Sequence, residues 1–217
     1  MSIETKWQKC STRVFWSEVA PCNHIVQIYE NDDVFIHTLS AFVQEGFKLG
    51  DCIIIMATPE HLIELYDSLV NDNIDMILFV ENGQYIVINV EDATAKFMVA
   101  DSPDEILFNK FINDTLKVPH QQKMQIRAFG EIVSELLKKG NIDATIRLEN
   151  LWNELCKSES FCLFCAYPKS SFKDNEIGPL ESICATHSKI INGVNKNKKE
   201  IEFASIKSMH QSNLMPN

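Results

Sequence analysis

Residues 24–58, HIVQIYENDDVFIHTLSAFVQEGFKLGDCIIIMAT, constrain the fold more than any other stretch, because they read as strand, loop, amphipathic helix, turn and strand. That is the layout of a phosphate-binding βαβ unit, but the phosphate loop is missing. Where a P-loop presents glycines, a lysine and a Ser/Thr, this chain has Tyr29-Glu30-Asn31-Asp32-Asp33, with no glycine and three carboxylates. A helix N-terminus favours negative charge, so these acids make good caps, yet they occupy the place a phosphate would take. The unit is built for something other than NTP hydrolysis.

The remaining chain repeats the alternation. CIIIMA at 52–57 is a continuous apolar run between turn residues, the pattern of a strand buried on both faces. Thr58-Pro59-Glu60 opens a second helix, with Thr58 as N-cap and Pro59 at the first helical position. QYIVINV at 84–90 alternates and is rich in β-branched residues, which predicts a third strand, and a short helix follows over 92–98. Ser102-Pro103-Asp104-Glu105 opens a longer helix to about residue 118, and MQIRAF at 124–129 is a fourth strand. EIVSELLKKG is helical, a further helix covers 142–156, and FCLFCAY at 161–167 is a second fully buried strand. Helices are expected over 179–192 and 196–209. Residues 1–20 form an irregular lead-in anchored by Trp7, Phe15 and Trp16; 21–195 form the main domain, and 196–217 a C-terminal helix and tail. Such alternation means an α/β fold, a mainly parallel sheet with helices on both faces. The ligand crevice of such a sheet lies at the carboxyl ends of its strands, which brings Tyr29 to Asp33, Ala57-Thr58, Gly130-Glu131 and Tyr167-Pro168 together.

With 217 residues and 45% hydrophobic content the chain can bury a sizeable core. A net charge of −10 and a pI near 5.1 argue against direct nucleic-acid or anionic-membrane binding, both of which need a cationic surface. No segment approaches the roughly 18 apolar residues needed to span a bilayer, so a cytoplasmic protein is expected. The 7 cysteines are odd in number, and Cys52, Cys162 and Cys165 lie in apolar runs, as reduced core thiols do.

Cys162-Leu-Phe-Cys165 has a CxxC spacing, but residues three apart on a strand point to opposite faces and cannot easily chelate together. Cys184-Ala-Thr-His187 falls on a predicted helix, where thiol and imidazole share a side; two ligands alone are not a site. Arg127 and Glu131 belong to a strand that otherwise reads as buried, so a charge there is either paired, for instance Arg127 with Glu149, or lines a cleft. A Cys165–His187 pair would be blunted by the apolar strand around the thiol. The chain has no GxSxG elbow and no dinucleotide fingerprint, so no enzyme, cofactor or metal is expected.

Six segments, HIVQIYEND, FVQEGFKLGDCIIIMAT, IRAFGEIVSELLKKGN, LENLWNEL, FCLFCAYP and ICATHSKII, together resemble the MEDS (methanogen/methylotroph sensory) domain, found in the repressor of dichloromethane dehalogenation and in archaeal signalling proteins. The resemblance implies a RecA/KaiC-like three-layer fold with a degenerate P-loop, and a domain that senses small hydrocarbon derivatives and reports to a kinase or DNA-binding module. The recurrent positions of that family fall on His24, Tyr29, Arg127, Gly130, Glu131, Glu149, Trp152, Tyr167 and His187. From these, His24, Tyr29, Arg127, Glu131, Tyr167 and His187 are the candidate ligand-binding residues. The flanking segments are too short for a helix-turn-helix or kinase domain, so a stand-alone cytosolic sensor of a small, largely apolar molecule is expected, acting through a signalling protein partner and possible as a homodimer. Two alternatives are a degenerate nucleotide-binding enzyme using Arg127 and Glu131 in place of the lost lysine, and a protein-interaction scaffold.

Overall fold

The computed structural model describes residues 12–16, 23–159, 161–172, 177–194 and 200–204; Trp7, residues 195–199 and the tail from 205 onward lie outside them. Among the described residues ten strands and eight α-helices follow one another: β1 (Thr12–Phe15), β2 (His24–Tyr29), α1 (Asp32–Leu49), β3 (Cys52–Ala57), α2 (Pro59–Asn71), α3 (Met76–Glu81), β4 (Tyr85–Asn89), α4 (Val90–Phe97), β5 (Met98–Val99), β6 (Ser102–Pro103), α5 (Glu105–Gln121), β7 (Ile126–Gly130), α6 (Ile132–Lys138), α7 (Ile142–Ser158), β8 (Phe161–Pro168), α8 (Ile177–Thr186), β9 (Lys189–Val194) and β10 (Glu200–Ala204). β5 and β6 form a small separate ribbon, and the other strands make one sheet in the order β1-β10-β9-β2-β8-β7-β3-β4. The six strands from β9 to β4 are mutually parallel, while β10 and β1 add antiparallel at one edge.

The period-2 geometry of a strand divides the core into two layers. Ile53, Ile55 and Ala57 of β3, Cys162, Phe164 and Ala166 of β8, and Ile25 and Tyr29 of β2 face α1 and α2. Cys52, Ile54 and Met56, then Leu163, Cys165 and Tyr167, and Val26 of β2 face α5, α6, α7 and α8 on the other side. The expected double burial of CIIIMA and FCLFCAY is thus what the parallel centre requires. Cys162 and Cys165 fall in opposite layers, as the strand geometry dictates.

Caps fix where the helices begin. Asn31 Oδ1 accepts from Asp33 N at 2.8 Å at the start of α1, and Thr58 Oγ1 accepts from His61 N at 3.4 Å at the start of α2, next to Pro59. α1 ends on Gly50, whose φ of 79° is a left-handed cap.

The chain ends depart from the expected pattern. The helix expected over 179–192 stops at Thr186, His187 and Ser188 turn the chain, and Lys189–Val194 pairs in parallel with β2. Ile190 and Ile191 then bury on opposite faces, which a strand allows and one stripe of a helix does not. Within the expected helix over 196–209, EIEFA is a strand of alternating charged and apolar residues whose partner is TRVF in the lead-in. In both segments the sheet's edge outweighs a weak helical propensity. Met76–Glu81 is a helix that no strong periodicity announced.

α1 lies close to the sheet at Gly46, where a Cβ would stand 2.3 Å from Ile53 Cδ1 and 2.9 Å from Arg127 Cδ. The isoleucine tip can rotate away, but Arg127 is held by an ion pair and cannot. Gly46→Ala is expected to destabilise the fold by overpacking, on the order of 1–3 kcal/mol, despite the better helix propensity of alanine. Urea unfolding measures this, and an unchanged midpoint would contradict the close approach.

Candidate functional site

The register of β2 against β8 sets His24 beside Leu163 and Val26 beside Cys165, so His24, Cys165 and Tyr167 project from one face of adjacent strands. α7 crosses above them with Leu148 and Trp152 packed into the core and brings Glu149 down between them. The turn after α8 supplies His187, and Ser188 locks that turn to β2: His24 N donates to Ser188 Oγ at 3.1 Å, and Ser188 N donates to His24 O at 2.7 Å. His24, Glu149, Cys165 and His187 are each at most 2% exposed.

Their polar atoms converge. Glu149 Oε2 lies 3.2 Å from His24 Nε2 and 3.5 Å from His187 Nε2. Cys165 Sγ is 3.5 Å from His24 Nε2 and 4.0 Å from Glu149 Oε2. The Tyr167 hydroxyl donates to the other Glu149 oxygen. The two imidazoles lie 3.9 Å apart between centroids. His24 Nδ1 is 3.2 Å from Thr186 O, and His187 Nδ1 is 2.6 Å from Ile183 O. A carbonyl only accepts, so each Nδ1 carries the proton and each neutral ring turns a bare Nε2 inward.

Burial governs the electrostatics here. It lowers both histidines to about 4, leaving them neutral at physiological pH. It raises the Glu149 carboxyl, against His187 and the Tyr167 hydroxyl, which favour its charge. It also lifts the Cys165 thiol well above its ordinary value, with the Glu149 charge adding to the effect. This suits a binding centre and makes Cys165 a poor nucleophile.

A second buried carboxylate, Glu131, sits at the carboxyl end of β7. Thr58 N donates to its Oε2 at 3.0 Å, His61 Nδ1 lies 2.7 Å from its Oε1, and Lys138 Nζ stands 3.9 Å away. Tyr29 closes the same rim by stacking on Phe35 at 4.7 Å, and Phe35 meets His61 edge-on. Burial, then the charges of Glu131, Asp32 and Glu135, raise the Tyr29 hydroxyl far above its usual range. Burial disfavours a charged His61, but its hydrogen bond to Glu131 and the Glu131 and Asp32 charges together outweigh this and raise its pKa.

Arg127 belongs to neither group. It lies near the amino end of β7, on the α1 face, where Nε donates to Asp51 Oδ2 at 2.5 Å and Nη1 donates to Trp16 O at 3.1 Å. Its guanidinium stands over the Phe42 ring, 5.6 Å from the centroid. The ion pair weighed for Arg127 with Glu149 is therefore made with Asp51, and Arg127 and Glu131 sit at opposite ends of one strand. Of the six candidates, the structure brings His24, Tyr167 and His187 together, sets Tyr29 near Glu131, and leaves Arg127 apart. Glu149, Cys165 and Ser188, none of them among the six, join the first group. Along the chain Cys165 reads only as half of a split CxxC or as a thiol blunted beside His187, and the β2–β8 register adds His24 as its neighbour at 3.5 Å.

An open groove of about 1150 Å³ lies on the outer side of α7, bordered by Arg147, Asn150 and Glu154 and by the β5–β6 ribbon. α7 separates it from the buried cluster, so the groove shares a helix with that centre but none of its residues. Among the described residues no helix is long and apolar enough to cross a membrane.

The family described as "MEthanogen/methylotroph, DcmR Sensory domain" matches residues 23–188. The chain belongs to the MEDS family. That match begins one residue before His24 and ends just after His187, so it encloses the whole cluster. No curated protein matches the chain. Among solved structures, an uncharacterized protein PH0321 from Pyrococcus horikoshii, crystallised in complex with an unknown peptide, superposes with a TM-score of 0.63 at 14% identity, covering 80% of this chain and 78% of that one. At that identity the likeness is one of fold: this MEDS domain shares its α/β architecture.

Two outcomes test these assignments. Removing Arg127 leaves Asp51 buried and uncompensated, so Arg127→Met is expected to cost about 3 kcal/mol or more, with much of the loss recovered in Arg127→Met/Asp51→Leu. Equal losses in the two variants, measured by urea unfolding, would contradict the pairing. The raised His61 pKa means the folded state holds that proton more tightly than the unfolded state. Its contribution is therefore fully present below the ordinary value of 6.5 and is lost as pH rises through the raised folded value. The Tm advantage of the wild type over His61→Gln is expected to shrink with rising pH; parallel curves would remove the Glu131–His61 ion pair.

Proposed function

We propose that this MEDS domain is a non-enzymatic cytosolic sensor of a small, largely apolar molecule, read at the buried centre of His24, Glu149, Cys165, Tyr167 and His187, and that it reports through a protein partner. Membership of a sensory-domain family supports the sensing role. The observation that carries the choice of site is the convergence of four buried polar side chains inside an otherwise apolar shell of Val26, Leu163, Leu148, Trp152 and Ile183. A protein interior tolerates such groups only when they are partnered, and here His187 Nε2 has no hydrogen-bond partner. A ligand with an apolar body and one polar group matches that environment.

The route outward is α7. One side of the helix carries Glu149 and Trp152 to the centre, and the other borders the open groove through Arg147, Asn150 and Glu154. A shift of Glu149 on ligand binding moves a helix whose far side is accessible to a partner. The nucleotide-binding alternative loses its cation, since Arg127 is engaged with Asp51 at the far end of β7 from Glu131.

Thermal-shift screening against short alcohols, amines and halogenated hydrocarbons tests the proposal. A ligand at 100-fold its dissociation constant is expected to add about 2.7 kcal/mol of stability, and Glu149→Gln and Tyr167→Phe should abolish the shift while His61→Gln keeps it. A shift that survives both cluster substitutions would move the sensing site elsewhere.

A further inference from the structure

We propose that His24 Nε2, His187 Nε2, Cys165 Sγ and one Glu149 oxygen form a four-ligand site for a divalent transition metal of the zinc class. The metal would be the resident cofactor of the sensing centre; its assignment to a sensing role rests on the reading above, while the binding itself does not. No metal signature shows along the chain because no two of the four ligands lie in one local motif: they come from β2, α7, β8 and the α8–β9 turn.

Three observations carry the assignment. The first is an excess of electron pairs. Both Nδ1 atoms face backbone carbonyls, which leaves two Nε2 lone pairs, a carboxyl oxygen and the Cys165 sulfur converging on one point, with the thiol S–H as the one donor recorded among them. A cation at their centre engages all four lone pairs at once, and it gives His187 Nε2 the partner it lacks.

The second is size. A tetrahedral zinc with N, O and S ligands at their usual bond lengths sets ligand atoms roughly 3.3–3.6 Å apart. The separations here are 3.2 Å for His24 to Glu149, 3.5 Å for His187 to Glu149, 3.5 Å for Cys165 to His24 and 4.0 Å for Cys165 to Glu149. All four ligand atoms lie within 4.8 Å of one another.

The third is the shell around them. Metal-binding histidines ordinarily donate the other ring N–H to a carbonyl or carboxylate, and ligating carboxylates are themselves hydrogen-bonded. Thr186 O and Ile183 O hold the two rings, and the Tyr167 hydroxyl holds the second Glu149 oxygen. A set of two imidazoles, a thiolate and a carboxylate selects zinc-class ions over calcium or magnesium, which take all-oxygen shells. On binding, the Cys165 S–H bond breaks, a sulfur–metal bond forms, and the proton leaves to water; no electrons are transferred. With all four ligands buried, the ion enters during folding or a local opening of α8.

The test uses the whole chain and the metal alone, with no organic ligand present. Protein stripped by a chelator is titrated with Zn(II) and with Co(II). One equivalent is expected to bind and to raise the melting temperature, and Co(II) is expected to give a thiolate-to-cobalt charge-transfer band with the intense visible bands of a tetrahedral site. Cys165→Ser should lose the charge-transfer band. Tyr167→Phe should keep the band but weaken affinity roughly 10–100-fold, which also serves if Cys165→Ser fails to fold. His61→Gln should bind one equivalent of either ion with the wild-type affinity and cobalt spectrum, whatever its starting melting temperature. A folded wild-type chain that binds neither ion, or a cobalt spectrum unaltered by Cys165→Ser, overturns the site. Metal binding without any organic-ligand shift upholds the site and counts against the sensing role; an organic-ligand shift in a chain that binds no metal does the reverse.

Discussion

The pairing of β2 with β8 at the middle of the parallel sheet is the contact on which the rest depends. Its register, His24 on Leu163 and Val26 on Cys165, sets an imidazole and a thiol within 3.5 Å on one face. A one-residue slip of β8 would send Cys165 to the opposite layer among Trp16, Phe42 and Phe129, and a slip of β2 would exchange His24 for Ile25. The turn carrying His187 and Ser188 can lock onto β2 only in the observed register. Fold and site are therefore specified together, by two strands far apart in the chain.

The two buried glutamates show how differently one sheet can satisfy a carboxylate. Glu131 is surrounded by donors: a backbone N–H and an imidazole from the start of α2, which join that helix to β7, and a lysine from α6. That is a structural arrangement, complete as it stands. Glu149 has a hydroxyl donor on one oxygen, and its other oxygen meets only the weak Cys165 thiol donor at 4.0 Å and two imidazole nitrogens without protons. Burying such a group without full compensation costs several kcal/mol, and proteins keep groups of this kind where they bind or react. The asymmetry between the two glutamates, more than the presence of histidine or cysteine, sets the cluster apart from the rest of the core.

Much of this was legible in the chain. The strand–helix alternation, the doubly buried runs CIIIMA and FCLFCAY, the Thr58-Pro59 cap and the opposed faces of Cys162 and Cys165 all follow from local periodicity and cap chemistry. The edge of the sheet was not legible: KIINGV and EIEFA have lengths and patterns compatible with either helix or strand, and a partner strand distant in sequence decides between them. The same limit applies to the site. His24, Tyr167 and His187 stand out as polar residues in apolar surroundings, but Cys165 acquires its meaning from the register with β2. Arg127 reads the same on a strand whether it faces a cleft or Asp51, and a residue just before β3 decides it.

The most direct test of the buried centre is the protonation of its imidazoles in chelator-treated protein, read from side-chain nitrogen shifts by NMR near neutral pH. Two resonances assigned to His24 and His187 as neutral rings protonated on Nδ1, with Nε2 bare, are what the geometry requires. Imidazolium rings, or rings protonated on Nε2, would fill the centre with donors and leave it a self-satisfied core network with no need of a metal or ligand.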